Sequence, residues 1–533
     1  MHSLGTIRVT PVIALLLVTV TALGQSKTER AQVQWGPELS DSKDGDFQDV
    51  FGYTEEHVYM TVLQKKEVFI QKMDMGFHVA YKKVLPLEID KKDHRLELLQ
   101  VFGERILVFT TFFDKKEKTN NLYLRMFSTL DMSPIGRMQR VADISVDSRR
   151  AKGSFDVKSS PDEKTILVNL NLPYEKEASE RFGLRVFDDE MNVLWEREVE
   201  LPYKDSEFAV RDLRVDDDGS VIMVGVKFAE KSEAKELRRD KQATYEYHLL
   251  VYRKDDAQPD DHPIRVKDKF LQDLTLSLGD DGDILCGGFF GNKGSFTVRG
   301  TFFLRLDRAS KAVVHESYKD FSDDFITQYM TEKEEKKATK KADKKGEDLE
   351  LYSYDLREIV RTSDGGAVIV GEQYQFYVTT HTMSTPNGGT TTTTTYHYVY
   401  NDIIVVNVNP EGNIDWAVKV PKRQHTTNDG GYYSSYALHV KNERIYLVFN
   451  DTGENLFLQS GDKVKQFELK GKDALITLAT VDASGMSHRE ALLAPDRRDA
   501  FTRPKACVQI DDDRMFVYAA RKKDYRFGVM TFE

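Results

Sequence analysis

From Leu356 to Pro421 the chain reads L-R-E-I-V-R-T-S-D-G-G-A-V-I-V-G, then a long polar excursion, then N-D-I-I-V-V-N-V-N-P-E-G-N-I-D-W-A-V-K-V-P. Ser363-Asp364-Gly365-Gly366 and Pro410-Glu411-Gly412-Asn413 are turn sequences that tolerate positive φ, and Ala367 to Gly371 is a short β-branched run. The segment therefore predicts a four-stranded antiparallel meander with tight first and third turns and an expanded connection between its second and third strands. A single meander leaves sheet faces uncovered, so such a unit must recur.

It recurs eight times. A turn followed by an apolar strand appears at Thr54-Glu55-Glu56, Gly103-Glu104, Ser160-Pro161-Asp162-Glu163, Asp216-Asp217-Asp218-Gly219, Asp280-Asp281-Gly282, Asp364-Gly365-Gly366, Asn442-Glu443 and Asp511-Asp512-Asp513. All three tryptophans, Trp35, Trp195 and Trp416, fall at one phase of the repeat, with Tyr81 as a substitute. Trp35 precedes the first complete copy, whereas the last copy, from Ala506 on, supplies three strands only. This predicts an all-β chain, a single β-propeller of eight four-stranded blades (alternatively seven), whose N-terminal strand joins the C-terminal blade.

Residues 1–24 carry Arg8, an apolar run from Pro11 to Leu23 and a small-x-small end at Ala22-Leu23-Gly24, the pattern of a signal peptide removed before Gln25. That run is too short to span a bilayer comfortably, so residues 25–533 are expected as a propeller with no transmembrane span, exported to the periplasm or beyond. A net charge of −11 argues against nucleic acid as a partner, because phosphates would meet no neutralising surface. The cysteines Cys286 and Cys507 are expected in strands of the fifth and eighth copies, too far apart for a disulfide and buried as small hydrophobes.

The long connections, residues 229–243, 331–348, 375–400 and 451–471, all join second to third or fourth to first strands, which share one rim of a meander ring. Elaborated loops on a rigid frame are where function tends to lie. Residues 331–348 are nearly all charge and alanine; residues 375–400 carry six successive threonines, Thr390 to Thr395, framed by tyrosines and histidines. Neither insertion has the apolar content to fold as a compact unit of its own. Tyr377, His381, His397, Tyr398, Tyr400 and His425 are the candidate binding residues on this rim.

No nucleophile elbow, H-E-x-x-H, paired C-x-x-C, phosphate loop or EF-hand is present, and Gly485-Met486-Ser487-His488 lacks the second glycine of a serine elbow. No catalytic residue, metal site or cofactor is assigned: the three rim histidines lack ligand spacing, and the acidic turns at 216–218 and 511–513 are read as backbone-bonding before calcium-binding. Asp49, Asp212 and Glu358 fall at about the same distance before their turns, whereas Asp156 and Asp273 break the register. Gly225, Gly287 and Gly371 recur in second strands, implying close approach between sheets.

The sixth copy resembles the repeat of exported bacterial β-propellers of the Bacteroidetes type, in which a D-G-G turn and strand precede a D…N-x-x-G-N…W hairpin. Asp364, Gly365, Gly366, Gly371, Asp402, Gly412, Asn413 and Trp416 carry that resemblance. It implies architecture more than activity. The expected function is a non-catalytic binding or scaffold protein that engages a protein or cell-envelope partner through the elaborated rim. The alternatives are a hydrolase or lyase acting on carbohydrate or peptide in the central funnel, and a structural subunit of an envelope assembly.

Overall fold

The computed structural model describes residues 25–146, 151–240, 242–265, 269–278, 283–292, 297–310, 312–345, 349–351, 354–384, 389–459, 461–492 and 501–533. Residues 1–24, expected as a signal peptide, and the expected turn at Asp280-Asp281-Gly282 lie outside them. The described chain is all-β and propeller-like. Seven antiparallel meanders follow one another: sheet 1 (46–84), sheet 2 (95–145), sheet 3 (154–204), sheet 4 (208–264), sheet 5 (270–320), sheet 6 (354–420) and sheet 7 (437–491). Sheet 8 takes the split strand Phe501–Thr502 and Val508–Gln509, then Arg514–Arg521 and Asp524–Phe532, from the C-terminus. Its next strand, Ala31–Trp35, comes from the N-terminus and pairs antiparallel with Asp524–Phe532, Trp35 opposite Gly528.

Strand alternation explains how the sheets stack. Along Ala367–Val370, every other side chain faces the opposite way: Ala367 and Ile369 pack against sheet 5 with Leu285 and Phe303, while Val368 and Val370 pack against sheet 7 with Ile445 and Leu447. Both faces of the second and third strands are thus apolar, and each fully buried Val, Ile, Leu or Phe contributes about 1.5–3 kcal/mol. Equivalent clusters join each sheet to the next from 1 to 8, and another, with Phe47, Val58, Phe516 and Phe527, joins sheet 8 to sheet 1.

The tryptophans have a shared task. Trp195 and Trp416, on fourth strands, each donate Nε1 to a turn carbonyl of the following sheet, Gly219 at 3.0 Å and Ala483 at 2.8 Å. Tyr81, expected at the same phase, is 47 % exposed. Close approach between sheets holds for Gly287, where a Cβ would lie 2.8 Å from Ile369 Cδ1, and for Gly371, where it would enter the Phe289 ring. At Gly225 the obstacle is Phe208 of its own sheet instead, which corrects the inter-sheet reading there.

Three expectations need correction. Residues 375–400 are not a loop: Ala367–Ser384 and Thr390–Val408 pair from Ala367↔Val408 out to Ser384↔Thr390 as one long hairpin. Threonine is polar but β-branched, so the six-threonine run satisfies a strand as readily as valine would. Asp273 is not out of register, because Gln272 is an extra bulged residue, matching bulges at Gln48, Arg211 and Arg357 ahead of Asp49, Asp212 and Glu358. Cys507 lies after a 3-10 turn, Pro504–Ala506, outside any strand; Cys286 is buried in Ile284–Gly291 as expected.

Among the described residues, α-helices occur only in connections between second and third strands or between successive sheets. Lys231–Arg239 links the second and third strands of sheet 4. Glu332–Lys345 lies between sheets 5 and 6; Thr331 caps it, accepting from Glu334 N–H while the Glu334 carboxylate accepts from Thr331 N–H at 2.8 Å.

Candidate functional site on the elaborated rim

Beyond Gln373 and Ile403 the hairpin leaves its sheet. Tyr354–Arg361 covers the second strand only as far as Gln373, and Ile414–Val420 covers the third strand only as far as Ile403. Residues 374–384 with their partners therefore project roughly 35 Å at about 3.4 Å per residue. The short strand Gln424–Thr427 braces the outer edge at Tyr400 to His397.

Cross-strand alternation sorts the six candidate residues into groups. On one face Tyr377 stacks on His397, with centroids 4.4 Å apart and planes within 7°. His397 Nδ1 lies 3.0 Å from His425 Nε2, and its Nε2 lies 2.8 Å from Thr379 Oγ1. Burial, and then the neighbouring His397, hold His425 below its usual range. His381 shares that face but stands four residues farther out from Tyr377, exposed. Tyr398 points the other way, against Phe376 at 5.2 Å. Tyr400, also on that second face, is buried at the base beside Tyr374, 4.8 Å away, and accepts a hydrogen bond from Lys505 Nζ at 2.7 Å. The structure thus gathers Tyr377, His397 and His425, seats Tyr400 below them, and leaves His381 and Tyr398 apart.

Beneath the hairpin lies a polar node that the sequence reading missed. A register break between Glu372 and Tyr374 marks the point where the hairpin leaves the sheet. Glu372, fully buried, meets Lys422 Nζ at 2.6 Å, Ser435 Oγ at 2.7 Å and Arg357 Nη2 at 3.2 Å. Lys422 is also fully buried; burial lowers its pKa, and Glu372 works against that shift. The Arg357 guanidinium sits 5.5 Å from the Tyr374 ring centre and 5.9 Å from that of Tyr400, and Lys505 Nζ lies 4.4 Å from the latter. Gln424 ties the node to its surroundings, donating to Asn450 O at 2.8 Å and accepting from Ser435 N–H at 2.9 Å.

A second buried pair lies in sheet 7. Arg489 meets Asp451 at 3.1 Å and also donates to Pro421 O, while Asn455 donates to Asp451 at 2.7 Å. Burial raises Asp451 to about 6 against the opposing pull of Arg489. Lys419 donates to Ile326 O at 3.2 Å, and Arg423 pairs with Glu334 at 3.3 Å, so the connection after sheet 5 and its charged helix are fastened to sheet 6. Charges that interrupt apolar runs, as Glu372 does in V-I-V-G-E and Lys419 and Lys422 do in V-K-V-P-K, were the available signal.

The first-strand carboxylates have structural partners. Asp49, Asp212 and Asp273 each accept from the next residue's N–H, and Asp273 also accepts from Leu356 N–H of sheet 6 at 3.0 Å, linking neighbouring sheets. Burial raises Asp273 and Glu358 above the usual carboxylate range. The acidic turns are engaged too: Asp216 and Asp217 hold Arg308, Asp511 holds Arg514 at 2.7 Å, and Asp513 holds Lys441 at 2.8 Å.

Among known proteins, the chain matches no family model and no curated sequence. Solved structures give distant likenesses. The β-propeller domain of the Trilobed protease from Pyrococcus furiosus is 10% identical, with 85% of this chain and 97% of that one covered and a TM-score of 0.36. An uncharacterized protein of Listeria monocytogenes is 9% identical, with 86% and 96% covered and a TM-score of 0.34. An acylaminoacyl peptidase of Pyrococcus horikoshii is 9% identical, with 90% of this chain and 58% of that one covered and a TM-score of 0.35. Likenesses this remote carry no inference about activity. What defines the class is the succession of stacked meander sheets, a propeller-like fold with its polar node and hairpin on one rim. No helix among the described residues is long and apolar enough to cross a membrane.

Proposed function

We propose that this chain is an exported, closed eight-bladed propeller that binds a protein or envelope partner through the rim carrying the hairpin, as a binding or scaffold protein in the periplasm or outside the cell. One observation carries the reading: the projecting part of the hairpin, residues 374–400, has no Asp, Glu, Lys or Arg, and with exposed Phe376, Tyr377 and Tyr396 it stands out from a chain that is 31% charged. Exposed aromatic and apolar surface of this kind marks interaction sites more often than idle surface. Ser435 and Glu372, which could suggest a hydrolytic pair, are engaged as anchors, since the Glu372 charge is taken up by Lys422 and Arg357.

Two measurements test this. Replacing residues 379–395 by Asn-Gly keeps the hairpin base, and the shortened protein should unfold at nearly the wild-type denaturant midpoint while losing partners recovered by cross-linking in cell envelopes. Unchanged recovery would overturn the rim assignment. N-terminal sequencing of the protein recovered after export should begin at Gln25; a retained leader would overturn release as a free protein.

A further inference from the structure

The second strand of the hairpin has an unprotected edge. Residues 374–384 pair with the third strand on one side, and on the other, among the described residues, no strand meets them. Natural edges are blunted by lysine, proline or a covering element. This stretch carries no Asp, Glu, Lys, Arg or Pro, and Phe376 and Val378 are each 46 % exposed along it.

Cations gather where that edge begins. Arg357 lies against Tyr374, the first edge residue, and Lys505 against Tyr400, which pairs with it. Arg503 lies over Tyr432, in the same connection whose Gly431 O accepts from Lys505. Arg357 and Arg503 both press the Lys505 pKa downward, after burial. Among the described residues neither Lys505 nor Arg503 has a carboxylate within ion-pair distance. The acids nearby are Glu372, Asp355, Glu358, Asp429 and, facing Arg503, Asp49. Glu372 is committed to Lys422 and Arg357; Asp355, Glu358 and Asp49 are shifted by burial toward their neutral forms; Asp429 accepts from Thr426 and from Gly431 N–H.

We infer that this edge takes up an extended segment of a protein partner as an added β-strand, with an acidic residue or terminal carboxylate of that segment seated at Lys505 and Arg503. Main-chain hydrogen bonds supply the pairing, and Phe376 and Val378 meet alternate side chains of the guest. The charge at the inner end sets its polarity. This rests on the rim reading and narrows it to a strand-shaped, acidic ligand.

The test uses the mature chain and a display library of random decapeptides. Enriched peptides should be free of proline, alternate in side-chain character and carry Asp, Glu or a free carboxyl terminus at one end. Lys505→Met should weaken them at least tenfold, and the variant lacking residues 379–395 at least a hundredfold. Hydrogen exchange should slow in wild-type residues 374–384 on peptide binding. Enrichment without acidic ends, binding indifferent to Lys505→Met, absence of enrichment, or a hairpin-dependent dimer in sedimentation would each overturn the inference. Envelope partners still lost on hairpin shortening, with no peptide enriched, would sink strand addition while leaving the rim reading standing.

Discussion

The joint between sheets 4 and 5 and the joint between sheets 6 and 7 serve the same mechanical purpose with different chemistry. The first is a continuous apolar seam, including Ile222, Leu249, Leu274 and Phe302. The second has an equally apolar middle, with Val368, Val370, Leu447 and Phe449, but is topped by the buried Glu372, Lys422, Gln424 and Asn450. An apolar seam rewards close stacking and tolerates some repacking. A buried charge network demands one arrangement of its donors, and here it fixes the hairpin base and the connection from Pro421 to Tyr436. The plain joint is therefore specified by volume and the joint beneath the hairpin by hydrogen-bond geometry.

The strongest attempt to break this contrast is Lys422→Met. Leaving Glu372 buried with Arg357 alone should cost about 3–5 kcal/mol in denaturant unfolding, and adding Glu372→Gln should recover part of the loss. A near-neutral Lys422→Met would make the two joints equivalent. Next is Gly371→Ala in the apolar joint between sheets 5 and 6, where the new methyl enters the Phe289 ring. Overpacking there should cost about 1–3 kcal/mol, while the projecting hairpin keeps its hydrogen-exchange pattern. The smallest effect concerns pH. Folded Asp451, raised to about 6, binds a proton more tightly than an unfolded aspartate near 3.9. Its contribution to stability is present in full below about pH 4 and is lost as pH climbs through 6. The slope is at most about 1.4 kcal/mol per pH unit, and Asp451→Asn should flatten it in pH-dependent urea titrations.

Turn chemistry and alternation made the frame legible in the sequence. Asp364 Oδ1 accepts from Gly366 N–H at 3.0 Å and Gly365 takes φ +90°, as the D-G-G triplet implies. The position of Trp35 pointed to the pairing of the chain ends that the structure contains. Residues 375–400 were misread because polarity was weighted above β-branching, and Asp273 because its register was counted from the turn that follows it instead of from the bulge it shares with Asp49, Asp212 and Glu358. The polar node was hidden for a different reason. A lysine or glutamate in a strand ordinarily signals a solvated face, and only the three-dimensional meeting of Glu372 with Lys422, Arg357 and Ser435 reveals a buried one.

The pairing of Ala31–Trp35 with Asp524–Phe532 has a consequence for biosynthesis. Residues 31–35 cannot take their place in the sheet until residues 524–532, nearly five hundred positions later, have been made. Ala31 and Phe532 lie side by side, so a circularly permuted gene joining the two strands by a short linker should yield the same fold.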